Sequence, residues 1–272
     1  MRQQPLILLT NDDGIDSPGL RAAAEAVLGL GELLVVAPRR QWSGAARCYP
    51  SDAPGTIAPQ PFTIEGQTVA AFCVDASPAQ VVLHAMLALV PRRPALAVVG
   101  INYGENLGTD VTISGTVGAA LQAATHGIPA LAVSLQTPKE THKNPSADVD
   151  FGAAMHVTRY FARRILSAPL PFDADILKID VPASATAGTP WRLTRLSRQT
   201  YYRAVLPQRN SLAEPAQLDY EAQWDEATLE ADSDIHALVI EGIVSVTPLS
   251  IDLTSRASMG ELEALLEEGV EL

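Results

Sequence analysis

Cysteine is scarce in this chain: Cys48 and Cys73 are the two in 272 residues. Two cysteines cannot build a disulfide framework, and theirs is not a metal-site spacing, so they read as reduced apolar side chains. Aromatic residues are only 5%, which leaves a core of Ala, Val, Leu and Ile. Basic residues are also few, 19 against 31 acidic ones, for a formal net charge of −12. Nothing basic accumulates to neutralise phosphates, which argues against nucleic acid or an anionic membrane as partner. The early apolar run Leu6-Ile7-Leu8-Leu9 is shorter than the ~7–15 residues of a secretory signal core. Nothing approaches the ~18 apolar residues of a membrane helix, so a cytoplasmic location is expected. Catalytic signatures are missing too. There is no G-x-x-x-x-G-K-[ST], no G-x-G-x-x-G after a strand, no G-x-S-x-G elbow and no H-E-x-x-H. The histidines His84, His126, His142, His156 and His236 fall outside the loops singled out below and read as structural or surface residues, with His126 at a helix C-terminus beside Gly127.

What is present is 47% apolar residue and a mean hydropathy of +0.11, a globular composition. Short apolar runs at 6–10, 33–37, 72–74, 95–99 and 130–135 alternate with helical patterns. Ser17-Pro18 opens a helix to Leu28 as N-cap and first-turn proline, and further helices are predicted at 78–90 and 117–125. The runs are apolar on both faces, as strands of a parallel sheet covered by helices are. The expected fold class is therefore α/β, a Rossmann-like, doubly wound, mostly parallel sheet. A polar loop is expected over 136–150, then a helix at 149–166 and a strand at 176–181. Beyond that, 191–196 and 237–246 read as antiparallel strands, 199–234 as a protruding arm or long hairpin, and 257–266 as a last helix. The expected division is a core of 1–185 and a C-terminal extension of 186–272 packed on it.

Three loops follow strands at one edge of such a sheet, where open α/β folds bind ligands. The first is Thr10-Asn11-Asp12-Asp13-Gly14. Adjacent carboxylates repel, so Asp12 and Asp13 point to a hard divalent cation, or else to a solvated turn. The second loop carries Ser43, a hydroxyl ligand, and Gly44, which lets a backbone approach closely. The third, from Gly100 to Gly108, places the amide of Asn102 just beyond its strand. Ser114-Gly115-Thr116 then opens a helix, either as an anion seat or as ordinary N-capping. Oxygen ligands and a phosphate-shaped seat at one sheet edge make a metal-dependent phosphatase the leading reading.

Ile7-Leu8-Leu9-Thr10-Asn11-Asp12-Asp13-Gly14-Ile15, Val36-Ala37-Pro38 with Ser43-Gly44, Gly100-Ile101-Asn102 with Gly104, Asn106 and Leu107, Ser114-Gly115-Thr116-Val117, and Ser245-Val246-Thr247-Pro248-Leu249 with Asp252 together resemble the survival protein SurE family of 5′/3′-nucleotidases. The resemblance covers nearly the whole chain. It implies a Rossmann-like metallophosphatase acting on nucleoside monophosphates, with one divalent ion per subunit, Mg²⁺ or Mn²⁺, with Ca²⁺ also compatible. It implies Asp12, Asp13, Ser43 and Asn102 as metal ligands, with Asp12 and Asp13 also catalytic. Asn11, Ser114, Gly115 and Thr116 are the expected phosphate contacts, and Gly44 and Asn106 the expected substrate contacts. A homodimer or homotetramer built through the C-terminal arm is implied as well.

The chain departs from the family pattern in three places. Ala76-Ser77-Pro78-Ala79-Gln80-Val81-Val82 stands for the usual Gly-Thr-Pro-x-Asp-Cys-Val. Lys178-Ile179-Asp180-Val181 stands for an Asn-Val-Asn strand, and Trp42 precedes Ser43 where a charged residue is common. None removes a metal ligand. Two alternatives are a haloacid-dehalogenase-like phosphatase with an aspartyl nucleophile, which would need Asp-x-Asp after the first strand, and a nucleotide- or metal-binding regulator without turnover.

Overall fold

The computed structural model of the chain describes residues 4–142 and 146–267. The first three residues, the last five, and Lys143, Asn144 and Pro145 of the predicted 136–150 loop lie outside them. In chain order the elements are β1 (Leu6–Thr10), α1 (Pro18–Val27), β2 (Glu32–Pro38), β3 (Ile57–Pro59), β4 (Thr63–Ile64), β5 (Gln67–Thr68), β6 (Ala70–Val74), α2 (Pro78–His84), β7 (Leu96–Tyr103), α3 (Gly115–Thr125), β8 (Ala130–Leu135), α4 (Gly152–Ser167), β9 (Ile176–Val181), β10 (Trp191–Leu193), β11 (Tyr202–Val205), β12 (Asp219–Ala222), β13 (Val244–Leu249) and α5 (Met259–Glu267).

Nine strands form one sheet in the order β10-β13-β9-β8-β7-β1-β2-β6-β3. From β6 to β9 every pairing is parallel. β1, β7 and β8 are apolar on both faces because helices cover both. Val27 of α1 and Phe161 of α4 pack on one face with Ile7, Leu9 and Val98. Val81 of α2 and Val117 and Ala120 of α3 pack on the other with Leu8, Val99 and Ala132. The winding runs outward from β1 through β2 to β6, and the other way from β7 through β8 to β9. The crevice between the carboxyl ends of β1 and β7 is thus the topological switch point.

The α/β class and the early elements follow the sequence pattern. Toward the C-terminus there are corrections. β13 is antiparallel to β9, but β10 runs parallel to β13. Residues 237–246 are not one strand: His236–Ile240 is a π-helical turn that buries Ala237 and Leu238, and Gly242, at φ 64°, reverses the chain into β13. The apolar-polar alternation there came from a helical turn followed by a strand. The predicted helix at 78–90 also changes character, its last turn Ala85–Leu89 being π-helical. β10 and β13, beyond residue 185, belong to the same sheet as the core strands. The 199–234 segment contains the antiparallel hairpin of β11 and β12. Among the described residues no helix is long and apolar enough to cross a membrane, and both cysteines are free.

Candidate active site

The turn after β1 is built by Asn11. Its side chain is fully buried, donates to the Gly14 carbonyl at 2.9 Å and accepts the Gly14 N–H at 3.2 Å. That closed turn, with Gly14 at φ 102°, leaves Asp12 and Asp13 at the switch point. The expected phosphate contact Asn11 therefore has its amide engaged in shaping the loop.

Asp12 is 5% exposed and lies against the first turn of α3. The Thr116 hydroxyl donates to its Oδ1 at 2.5 Å. A Cβ placed on Gly115 would fall 2.6 Å from Asp12 Oδ2, so only glycine lets the carboxylate approach this closely. Ser114 is the N-cap, its Oγ accepting the Val117 N–H at 3.1 Å. Both hydroxyls of the Ser-Gly-Thr segment are thus engaged within the protein, one as cap and one on Asp12. The helix end itself, electropositive from its unpaired N–H groups, faces the carboxylates.

Asp13 touches the other two loops. Its Oδ1 accepts from Gln41 Nε2 at 3.0 Å, the Tyr103 backbone also donates to it, and its Oδ2 is buried without a partner among the described residues. Burial, and then the charge of Asp12, push the Asp13 carboxyl up to about 8. Burial pushes Asp12 up to about 6, against the pull of hydrogen bonds from Thr116. Two adjacent acids so displaced, one with an orphaned oxygen, form a donor set short of a positive charge.

Asn102 sits at the end of β7, next to Tyr103, and donates from Nδ2 to the Gly104 carbonyl at 2.7 Å. Its Oδ1 accepts nothing from the described residues. Ser43 and Gly44 are exposed at the rim, but their loop is stitched to the first one by the Trp42 N–H donating to the Asp12 carbonyl at 2.7 Å. Asn106 is drawn away from the paired acids, toward β8 and β9: its Nδ2 donates to Ser134 Oγ at 2.8 Å. The structure therefore brings Asp12, Asp13, Gly115 and Thr116 together, ties the loop of Ser43 to them through Trp42, keeps Asn102 at the end of the adjacent strand β7, and turns Asn106 toward β8 and β9.

Two contributors were not foreseen. Gln41 Nε2 bridges Asp13 and the His142 carbonyl, the latter at 2.6 Å. His142 packs against Gly104 and meets the β11–β12 hairpin, its Nδ1 lying 2.9 Å from the Tyr220 hydroxyl. Far from the three loops in sequence, this histidine abuts the third in space. Gln41 had a signal, its place in the second strand-end loop; His142, in a polar stretch that shows no periodicity, had none.

Comparison with known proteins gives similarities of sequence and fold. The family described as "Survival protein SurE" matches residues 7–203. The "5'-nucleotidase SurE" of Methanothrix thermoacetophila is 40% identical over 267 residues, covering 96% of this chain and 98% of that protein. The protein of the same name from Archaeoglobus fulgidus is 42% identical over 260 residues, covering 94% and 95%. The crystal structure of the SurE protein from Aquifex aeolicus superposes with a TM-score of 0.75 at 29% identity, covering 97% of this chain and all of that one.

Proposed function

Since the chain belongs to the survival protein SurE family, we propose that it is a 5′-nucleotidase, which hydrolyses nucleoside 5′-monophosphates, and 3′-monophosphates as a second class, with one divalent cation per subunit. The observation that carries the reading is the pair Asp12-Asp13 at the switch point, packed on the N-terminus of α3 with Asp13 Oδ2 unpartnered. The residues fit a hard cation: two carboxylates, the Asn102 amide oxygen and the Ser43 hydroxyl are all oxygen donors, suited to Mg²⁺, Mn²⁺ or Ca²⁺. When bound, the cation supplies charge that polarises a phosphoryl oxygen and acidifies water.

The chain's own residues do the rest. The N-terminal N–H groups of α3, beginning at Gly115, receive phosphoryl oxygens and the negative charge that grows on them. Ser114 caps that turn and Thr116 orients Asp12, so their contribution is to hold the seat in place. A carboxylate of the pair takes the proton of the attacking water as the bond from phosphorus to the nucleoside oxygen breaks, and that oxygen leaves with a proton returned from the carboxyl group or from water, with no covalent intermediate. Gly44 and Asn106 border the space left for the nucleoside. Family membership sets the haloacid-dehalogenase-like alternative aside. We further read the protein as cytoplasmic, and as a homodimer or homotetramer joined through the segment that carries β11 and β12.

The test is release of phosphate from 5′-AMP with Mn²⁺, against an EDTA control. Turnover with Mn²⁺ that is lost in EDTA and in a folded Asp12→Ala variant is expected. Retained turnover in Asp12→Ala would overturn the site, and no turnover in the wild type would make the chain a binder rather than a catalyst.

A further inference from the structure

Lys178 lies in β9, with Thr247 of β13 beside it in register, and it is the largest fully buried side chain among the described residues. Asp180, two residues on, projects from the same face. Lys178 Nζ donates to Asp180 Oδ2 and lies 3.1 Å from Asp234 Oδ2, and all three side chains are fully buried. Burying an ammonium and two carboxylates is unfavourable unless every one is paired and hydrogen-bonded. Here each is, and the bonds converge on one short loop. Asp180 Oδ1 accepts the Asn106 N–H at 2.7 Å, Lys178 Nζ donates to the Asn106 carbonyl at 2.8 Å, and Asp234 Oδ2 accepts the Gly108 N–H at 3.0 Å. The other oxygen of Asp234 accepts the N–H groups of Ser197 and Ile235, both at 2.9 Å.

An apolar trio of the same volume would fill this space as well. It would leave the N–H and C=O of Asn106, which no strand pairs, without partners. What the charges provide is a hold on that loop. The row continues across the sheet: Asp180 pairs in register with Ser134, and Ser134 with Asn102. Ser134 in turn takes the Asn106 side chain.

We propose that Lys178 and Asp180 are positioning residues for the substrate loop. With Asp234 they clamp the main chain of Asn106 and thereby set where its side chain meets the nucleotide. This inference rests on the nucleotidase reading and on Asn106 as a substrate contact.

The test uses the full chain and four variants: Asp180→Asn, Lys178→Met/Asp180→Asn, Asn106→Ala and Asp180→Asn/Asn106→Ala. Asparagine keeps the shape but has one acceptor oxygen, so it cannot serve both Lys178 and the Asn106 N–H. The paired substitution removes the Lys178 and Asp180 charges, leaves Asp234 held by the N–H groups of Gly108, Ser197 and Ile235, and offers a second variant should the single one fold poorly. With 5′-AMP and Mn²⁺, Asp180→Asn is expected to raise KM on the order of tenfold, with kcat within about threefold. Mn²⁺ affinity should stay within about twofold of the wild type, because Asp12 and Asp13 keep their partners. The paired variant should show the same KM rise. In the Asn106→Ala background, Asp180→Asn should change KM by less than about twofold, the coupling expected of two residues that act through one contact. Effects on KM that multiply, a fall in kcat at unchanged KM, or the unfolding of both network variants would each overturn the proposal. A wild type without turnover would overturn the nucleotidase reading itself, an outcome separate from these.

Discussion

Gly115→Ala is the sharpest perturbation of the site that leaves every charge in place. An added Cβ would lie 2.6 Å from Asp12 Oδ2, 3.0 Å from its Cγ and 2.8 Å from its Cβ. The last distance decides the outcome. Rotating Asp12 about χ1 moves the carboxylate away but leaves its own Cβ where it is, so the contact is relieved only if the first loop and the start of α3 move apart. Such overpacking costs about 1–3 kcal/mol. For a chain of this size that is a fall of roughly 2–10 °C in melting temperature. Activity should fall much further, because a displacement of even about 1 Å in a reacting group lowers the rate on the order of 100-fold. The assay is kcat for 5′-AMP with saturating Mn²⁺, beside a thermal melt of the same preparation. A folded Gly115→Ala protein with wild-type kcat would show that the close approach of Asp12 to α3 is not what the chemistry uses.

Asn11→Ala removes both hydrogen bonds that close the turn at Gly14. It should destabilise the chain by about 1–3 kcal/mol in denaturant titration, the range for buried groups left unpaired. Asp13→Asn should abolish turnover yet stabilise the metal-free protein. The folded chain holds the Asp13 proton up to about pH 8, against an ordinary value of 3.8. Its contribution to stability is therefore full below about pH 4 and is lost as the pH rises toward 8. In EDTA, melts of Asp13→Asn and wild type should nearly coincide at pH 4 and separate at pH 8, with the variant higher; a wild type that melts higher at pH 8 would refute this.

The inner strands were legible because burial on both faces writes itself as an uninterrupted apolar run, as in Leu6–Thr10 and Ala130–Leu135. β3, β4 and β5 were not, because they are short, partly exposed and defined only by their pairing. Residues 237–246 misled because alternation cannot tell a helical turn plus a strand from one strand. At the site, the residue types Asp12, Asp13, Ser43 and Asn102 could be read directly, but Asn102, expected beyond a strand at 95–99, lies inside β7, which continues to Tyr103. The partners of these residues could not be read. Thr116 reaches Asp12 across 104 positions, and Gln41 and His142 meet Asp13 and the third loop only once the chain has folded. Lys178 and Asp180 did leave a trace, two charges in the otherwise apolar run Ile176–Val181, but only the fold shows that both point at Asn106.

The most direct test of a cation held by the three loops is diffraction at the manganese absorption edge from crystals grown with Mn²⁺. The account predicts one anomalous peak per chain, bounded by Asp12, Asp13, Ser43 and Asn102. A peak elsewhere, or no peak in a preparation that hydrolyses 5′-AMP, would contradict it.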